Sequence, residues 1–205
     1  EERRGLRRAA VALGAEFVDV EWRVDRRAWP AGDRTRLVLS HHDVHGVPAD
    51  AGERLQAMRR DSPSAVLKLA AAASAAKDCV TLRDIARSDA REHVVIGMGA
   101  AGLLTRVCPW LFGSVWTYGG SAAPGQVPAA DLTNVYRVRS GSAARRLFAL
   151  TGAPLGHSAS PAMHNAAMAA LDLDAVYVPI ESTDGREFLE VAEAFGIEGA
   201  SVTAP

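Results

Sequence analysis

AVLKLAAAAS, residues 65–74, is an apolar run interrupted by a single lysine. A strand of this composition is apolar on both faces, which is typical of a parallel sheet covered by helices. Four further runs predict strands, at residues 17–22, 36–41, 93–98 and 114–118. Amphipathic stretches among them predict helices, at residues 49–60, 74–86, 103–110 and 129–136. This βα repeat favours a closed barrel or a doubly wound sheet.

The chain is predicted to contain two units. We assign residues 1–136 to the first unit and the polar segment RVRSGSAARR, residues 137–146, to a linker. Residues 147–205 form the second α/β unit. Its predicted strands and helices are at residues 147–151, 162–171, 175–179 and 185–195, followed by a last strand in GASVTAP. Five strands do not close a barrel of eight, so we expect an N-terminal piece to be missing. The second unit ends on a predicted strand with no element after it, so we expect this unit to be truncated.

The composition argues against several classes of protein. With 48% hydrophobic residues, 23% charged residues and a net charge of −1, the chain is ordinary for a soluble globular protein and has no basic face for nucleic acid. It has neither a signal peptide nor an apolar run long enough for a bilayer, so we predict a cytoplasmic protein. Cys79 and Cys108 lack metal-ligand spacing and are expected to pack as thiols.

Lys68 is the first candidate catalytic residue. The basic residues are 21 arginines and only two lysines, Lys68 and Lys77. A lysine inside an apolar strand therefore calls for a specific reason. Desolvation of an amine favours its neutral form, which attack on a carbonyl requires, and Arg could not do this. The alternative is a lysine whose head reaches solvent at the end of a strand.

SHHDVHG, residues 40–46, follows the preceding predicted strand. Because histidine can take and return a proton near neutral pH, and barrel active sites lie at the carboxyl ends of strands, His42 is the candidate general base. One alternative is a pair of surface or capping histidines. A metal site of His41, His42, Asp43 and His45 is disfavoured because adjacent strand residues face opposite ways, so we expect no metal.

GMGAAG, residues 97–102, satisfies a dinucleotide-binding fingerprint as written. The next predicted strand follows too soon for such a unit, and no Asp or Glu lies between Gly102 and Asp131 to bind a ribose. We therefore interpret this turn as a loop that approaches a substrate. Arg106, just beyond it, could bind a carboxylate through two parallel contacts, or could be a surface residue of the short helix.

Two further loops carry candidate binding residues. SAAPGQVP, residues 121–128, either turns the chain or presents Gln126 to a substrate oxygen. In GAPLGHSASP, residues 152–161, Ser160 is expected to cap a helix whose first position is Pro161. The hydroxyls of Ser158 and Ser160 near free backbone N–H groups would form a carboxylate site, although capping alone would also explain Ser160.

These motifs resemble two enzyme families in tandem. Over residues 1–136 the chain resembles the later part of type I 3-dehydroquinate dehydratase, with matching segments in the family's order: VDVEW, SHHDV, VLKLA, IGMG, LTR, FGSVWTYGG and AAPGQVPAADL. LTGAPLGHSASPAMHNAA and the closing GASVTAP resemble the N-terminal substrate domain of shikimate dehydrogenase. The resemblance implies the last five strands of a (β/α)8 barrel followed by the start of an α/β substrate domain.

The resemblance also implies roles for individual residues. Lys68 would form the Schiff base and His42 would transfer protons, while Arg106 and Gln126 would bind 3-dehydroquinate. The family's glutamate partner of the histidine is expected on earlier strands, outside this chain. In the second unit Ser158, Ser160 and Thr203 would bind 3-dehydroshikimate or shikimate. NADP would serve that reaction from a domain that this chain lacks, and the dehydration needs no cofactor. The alternatives are a noncatalytic fragment and an aldolase-like Schiff-base barrel.

Overall fold

The first part of the chain forms a four-stranded sheet in which all neighbouring strands are parallel. The computed structural model describes residues 2–24, 34–122 and 125–203. The strands lie in the order β1-β2-β3-β4, with bounds Phe17–Glu21, Arg36–Asp43, Val66–Ala72 and His93–Met98. The helices are α1 Glu2–Ala12, α2 Ala51–Asp61, α3 Asp78–Arg87, α4 Leu103–Val107 and α5 Ala129–Asn134. The parallel strands, with α2 between β2 and β3 and α3 between β3 and β4, confirm the predicted α/β class.

The two faces of this sheet have different surroundings. Leu39, Leu67 and Leu69 are fully buried in a cluster that also contains Leu55 of α2 and Leu82 of α3. The opposite face carries a second cluster, formed by Val38, Val66, Ala70, Val94 and Ile96, with Trp116 and Tyr118 packed against it. Because side chains alternate along a strand, Lys68 lies on this second face, between Val66 and Ala70.

The predicted strand at residues 114–118 is wrong. Ser114 makes one isolated parallel bridge to His93, and the Val115 N–H donates to the His93 carbonyl at 3.0 Å. The Val95 N–H donates to the hydroxyl oxygen of Ser114 at 3.0 Å. Because a side chain takes the place of a backbone acceptor, the segment follows the edge of β4 without forming a regular ladder.

The helix predicted at residues 103–110 is also shorter than expected. α4 ends at Val107, and a separate 3-10 turn spans Pro109–Phe112. Proline lacks a backbone N–H and its ring clashes with a preceding carbonyl, so Pro109 cannot continue an α-helix but can begin a new turn.

The second part of the chain forms a three-stranded parallel sheet. Its strands lie in the order β6-β5-β7, with bounds β5 Arg146–Gly152, β6 Ala175–Glu181 and β7 Ile197–Val202. The helices are α6 Ser160–Ala170 and α7 Gly185–Phe195. α7 has both signals of a well-defined helix, an Asp184 side chain that accepts the Arg186 N–H at 2.8 Å and Gly196 in the left-handed conformation after its end.

The two sheets share one hydrophobic cluster. It joins residues of the first part, such as Leu104 and Phe112, to Val178 of β6 and Phe195 of α7. The rings of Phe112 and Phe195 are 5.5 Å apart. The segment predicted as a linker is anchored by Arg145, which is 6% exposed and bonds to Asp174 Oδ1 at 3.0 Å and to the Tyr136 carbonyl at 3.0 Å. The division at residues 137–146 remains a proposal.

The cysteines pack as predicted. Cys79 and Cys108 are free thiols, 1% and 0% exposed, within the shared cluster. Burial raises the pKa of Cys79 to about 12 and also raises the pKa of Cys108, since the thiolate would lose its hydration. No helix in the described ranges has the length and apolarity that crossing a bilayer requires.

Candidate active site

A cavity of about 220 Å³ is lined by residues of β2, β3 and β4 and of the segments that follow β4. Four predicted site residues line it: His42, Lys68, Arg106 and Gln126. The remaining lining residues are Ala70, Ile96, Met98 and Tyr118. Strand register explains the assembly, because Ser40 is opposite Lys68 and His42 is opposite Ala70, so alternate residues of β2 and β3 face the same space.

The amine of Lys68 is held from two sides. Nζ donates to Asp19 Oδ2 at 2.9 Å and lies 4.4 Å from the centre of the Tyr118 ring. The side chain is 13% exposed. The carboxylate and the aromatic face both attract a cation, and they fix the position of the amine at the wall of the cavity.

His42 is paired with Glu21, the last residue of β1. His42 Nδ1 lies 2.7 Å from Glu21 Oε2, and the His42 backbone N–H donates to Oε1 of the same carboxylate at 3.2 Å. A carboxylate at Nδ1 favours the tautomer with its proton on that atom, which leaves Nε2 able to accept a proton. The ring is 40% exposed at the rim of the cavity.

His41 has a different environment. It is 5% exposed, its Nε2 lies 3.0 Å from Arg54 Nη1, and its ring packs edge-on against Trp22. Its Nδ1 is 3.4 Å from Glu21 Oε1. Burial lowers the pKa of His41, because the charged imidazolium would be desolvated. His41 does not line the cavity.

Glu21 and Asp19 are the site residues that sequence reasoning missed. Glu21 gives His42 a carboxylate partner within this chain, and the further glutamate that the resemblance implies on earlier strands stays a prediction. The available signal was the alternation in VDVEW, where two acids separated by one valine lie on one face of a strand. Register places Glu21 opposite Ser40, in the same row as Lys68.

Arg106 is a buried cation in the wall of the cavity. It is 5% exposed, and Nη1 donates to the Tyr118 carbonyl at 3.2 Å. Its Nε has no hydrogen-bond partner, and no carboxylate within the described ranges forms an ion pair with it. Burial lowers the pKa of Arg106. A buried guanidinium without a counter-charge favours binding of an anion.

Gln126 borders the cavity and contacts the chain just before the glycine- and proline-rich loop. Its Oε1 accepts the Ala122 N–H at 2.8 Å, and a methyl group added at Gly120 would lie 2.5 Å from the same oxygen. The loop residues 123–124 are outside the described ranges. Gln126 also lines a second cavity, of about 510 Å³, which reaches the second part of the chain.

The glycine-rich turn has a packing role. A Cβ at Gly102 would lie 2.4 Å from the carbonyl carbon of Gly97, and one at Gly125 would lie 2.4 Å from that of Gly99. Gly99 has φ +95°, in the range that favours glycine. The turn therefore closes on itself, and Gly125 covers the backbone of Gly99, where a pyrophosphate would approach in a dinucleotide site.

The three residues predicted in the second unit do not share a cavity. Ser158 lines the 510 Å³ cavity with Leu155 and Gln126. Thr203 lines a separate cavity of about 220 Å³ with Thr151 and residues 182–185, and Ser160 lines neither. The Thr203 N–H donates to the Thr151 carbonyl at 2.9 Å, which continues the ladder beyond β7.

The expected cap of α6 is also corrected. Ala159 is the N-cap residue and already has helical backbone angles, φ −79° and ψ −8°, so Ser160 lies inside the helix and Pro161 is its second residue. Ser160 makes no side-chain cap. Instead, Ser158 Oγ accepts the Ser160 N–H at 3.2 Å. The Ser158 hydroxyl, and not that of Ser160, therefore accepts a backbone N–H at the start of α6.

Comparison with known families agrees with the site geometry. The family model for Type I 3-dehydroquinase matches residues 1–143. The chain belongs to the type I 3-dehydroquinase family. Residues 150–205 match the Shikimate dehydrogenase substrate binding domain.

Two curated relatives match the chain to different extents. The bifunctional 3-dehydroquinate dehydratase/shikimate dehydrogenase, chloroplastic, of Arabidopsis thaliana is 27% identical over 100% of this chain and 36% of its own length. The 3-dehydroquinate dehydratase of Methanocaldococcus jannaschii is 30% identical over 67% of this chain and 67% of its own length. This chain thus spans little more than a third of the bifunctional relative.

Solved structures extend the comparison to the fold. The dehydroquinate dehydratase and shikimate dehydrogenase from S. pombe AroM matches 100% of this chain and 41% of its own, with TM-score 0.56 and 28% identity. The 3-dehydroquinate dehydratase from Geobacillus kaustophilus covers 67% of this chain and 59% of its own, with TM-score 0.55 and 28% identity. The partial barrel and the order of the two units therefore both have structural counterparts.

Proposed function

We propose that the first unit dehydrates 3-dehydroquinate to 3-dehydroshikimate through a Schiff base on Lys68. The observation that carries the proposal is the single cavity that brings together the Lys68 amine, the His42–Glu21 pair and the unpaired Arg106. Membership of the type I 3-dehydroquinase family supports the same reaction. No metal or organic cofactor takes part in this proposal.

Covalent chemistry begins at Lys68. The ammonium first gives up one proton, and the neutral amine attacks the ketone carbon. That proton and one amine hydrogen then leave with the carbonyl oxygen as water, so the imine nitrogen on Lys68 keeps one hydrogen and a positive charge. His42 Nε2 then removes a proton from the adjacent carbon, and the electron pair moves into the imine to form an enamine. The enamine expels the hydroxyl group, to which His42 returns the proton, so that a second water leaves. Hydrolysis of the restored imine releases the product and the free lysine.

The other lining residues orient the substrate. Arg106 supplies the positive charge that binds the carboxylate, and the desolvated cavity strengthens that contact. Gln126 borders the cavity, while Ile96 and Met98 form an apolar wall. Glu21 holds the His42 ring and stabilises the imidazolium that forms during proton transfer.

We further propose that the natural protein joins this activity to a shikimate dehydrogenase. In that reaction Ser158, Ser160 and Thr203 would bind the carboxylate and hydroxyls of 3-dehydroshikimate or shikimate. NADP would supply the hydride when bound. The turn at residues 97–102 does not fit a dinucleotide, because Gly125 packs against the backbone of Gly99, where the pyrophosphate would have to approach. A cytoplasmic location and small-molecule partners complete the proposal, with the two buried free thiols as support for a reducing compartment.

Borohydride trapping tests the dehydratase proposal. In the natural full-length protein, sodium borohydride added with 3-dehydroquinate should reduce the imine and leave a stable adduct on Lys68, located by mass spectrometry. Lys68→Arg should abolish the adduct although the charge is kept, and Lys77→Arg serves as the matched control. An adduct on Lys77, or turnover without any adduct, would contradict the assignment.

A further inference from the structure

Asp19 is the acidic side chain nearest to the reacting amine. It lies on β1, and its two oxygens have different partners: Oδ2 accepts Lys68 Nζ at 2.9 Å, and Oδ1 accepts the hydroxyl of Ser40 at 2.5 Å. Ser40 is 1% exposed. The buried hydroxyl therefore orients the carboxylate, and the other oxygen faces the nitrogen on which the Schiff base would form.

The other charged groups near the cavity leave Asp19 as the counter-charge of Lys68. The Glu21 carboxylate is hydrogen-bonded to the ring and to the backbone N–H of His42. Arg106 contributes a second positive charge to the cavity, and the Tyr118 ring lies against Nζ. Among the described residues, Asp19 is the carboxylate that forms an ion pair with Lys68. Its removal would leave a largely buried cation facing Arg106 with no counter-charge.

We propose that Asp19 is the counter-ion of the protonated imine on Lys68. This inference rests on the proposed Schiff-base function and assigns a role to a residue that the mechanism above does not use. When an ammonium group and a ketone condense, one water leaves and the imine nitrogen keeps one hydrogen and the positive charge. That N–H donates to Asp19 Oδ2. The charge makes the imine an electron sink when His42 removes the proton from the neighbouring carbon.

The same contact has an opposite effect before the imine forms. Asp19 Oδ2 holds Lys68 Nζ at 2.9 Å, and Nζ must leave this contact to turn its lone pair toward the ketone. Removal of the charge should therefore help imine formation and harm the proton abstraction that follows. A residue with a purely structural role would slow both steps together.

The test compares Asp19→Asn with three other proteins: the unchanged full-length protein, Asp19→Glu, and Glu16→Gln. Glu16 is an exposed acid just before β1 and does not line the cavity, so its neutralisation controls for a general change of charge. Steady-state assays give kcat and KM with 3-dehydroquinate. Rapid mixing followed by a borohydride quench gives the rate of adduct formation on Lys68.

We expect Asp19→Asn to lower kcat about tenfold to a hundredfold, the effect of losing a hydrogen bond to a charged group. Its adduct should form at least as fast as in the unchanged protein. The kcat of Asp19→Glu should lie between the values of Asp19→Asn and of the unchanged protein, because this variant keeps the charge. The kcat of Glu16→Gln should equal that of the unchanged protein.

Each contrary result has a distinct meaning. If kcat of Asp19→Asn stays within about twofold of the unchanged value, or if adduct formation slows in parallel with kcat, the counter-ion role is wrong. A poorly folded Asp19→Asn leaves the decision to Asp19→Glu, whose kcat must then change while its adduct still forms. Absence of an adduct in the unchanged protein would instead contradict the Schiff-base function itself.

Discussion

The side chains of the candidate site are arranged by the alternation of strands. β1 places two acids, Asp19 and Glu21, on the face where β2 and β3 present His42 and Lys68. Each acid then holds one reactive group, Asp19 the amine and Glu21 the imidazole. The two halves of the proposed chemistry, covalent attachment and proton transfer, thus have separate carboxylate partners.

His42 and His41 should respond very differently to substitution. His42→Ala removes the group that moves the proton, so we expect kcat to fall about 10²–10⁴-fold, the usual contribution of general acid–base catalysis. His41→Ala removes a buried ring outside the cavity and should mainly lower stability. Steady-state kinetics and thermal unfolding of both variants provide the measurement. Equal losses of kcat would contradict the assignment of His42.

Arg106 should act mainly on binding. Arg106→Ala removes the unpaired buried cation, so KM for 3-dehydroquinate should rise about tenfold to a hundredfold. Arg106→Lys keeps a charge but loses the two-pronged geometry, so its KM should lie between the values of the unchanged protein and of Arg106→Ala. An unchanged KM in Arg106→Ala, measured with a protein of unchanged melting temperature, would exclude a role in carboxylate binding.

The sequence signal was clearest where a residue type is unusual for its position. Lys68 is one of two lysines and lies inside an apolar strand, and His42 lies near the carboxyl end of β2. Asp19 and Glu21 gave a weaker signal, because acids on a strand at the edge of a sheet are also typical of a solvated face. Only the register with β2 reveals that these two acids face inward.

At the level of elements, the strands with two apolar faces were predictable and the irregular segments were not. β2, β3 and β4 fall close to their predicted runs, since burial on both faces leaves a strong pattern. The failure at residues 114–118 depends on one hydroxyl, that of Ser114, which takes a backbone N–H of β4. A single side-chain acceptor of this kind leaves no periodic signal in a sequence.

The turn at residues 97–102 gives a test of packing. Gly102→Ala places a Cβ 2.4 Å from the Gly97 carbonyl carbon, so we expect the free energy of unfolding to fall by about 1–3 kcal/mol. Gly52→Ala, in α2, meets nothing within 4 Å and should leave stability equal or raise it by up to about 1 kcal/mol. Urea unfolding of both variants provides the comparison. A Gly102→Ala protein as stable as Gly52→Ala would contradict the close backbone contact.

At the level of the whole molecule, the two families meet in one hydrophobic cluster. Phe112 and Phe195 contact each other across the junction, and Arg83 lies over the Phe195 ring at 4.9 Å while it donates to the Ala194 carbonyl. Lys77 N–H also donates to Glu187 Oε1 at 3.2 Å. The polar composition of residues 137–146 indicated a linker, but composition does not reveal how closely two units pack.

The polypeptide of residues 1–205 should not bind NADPH. In its fingerprint-like turn, Gly125 packs against the backbone of Gly99, which is where a pyrophosphate would have to approach. Isothermal titration calorimetry with NADPH should therefore give no saturable signal, whereas a longer polypeptide that includes a dinucleotide domain should bind. Saturable micromolar binding to residues 1–205, weakened by Gly99→Ala, would overturn our interpretation of the turn and of the barrel around it.

The shared cluster also matters for anyone who divides this protein for expression. If the chain is divided within residues 137–145 and the halves are separated, Phe112, Val178 and Phe195 of the shared cluster become exposed to solvent. Contiguous apolar surface of this kind promotes aggregation of soluble proteins. Each half produced alone should therefore form inclusion bodies or oligomers more readily than the joined chain, and co-expression of the two halves should restore solubility by allowing the exposed faces to meet.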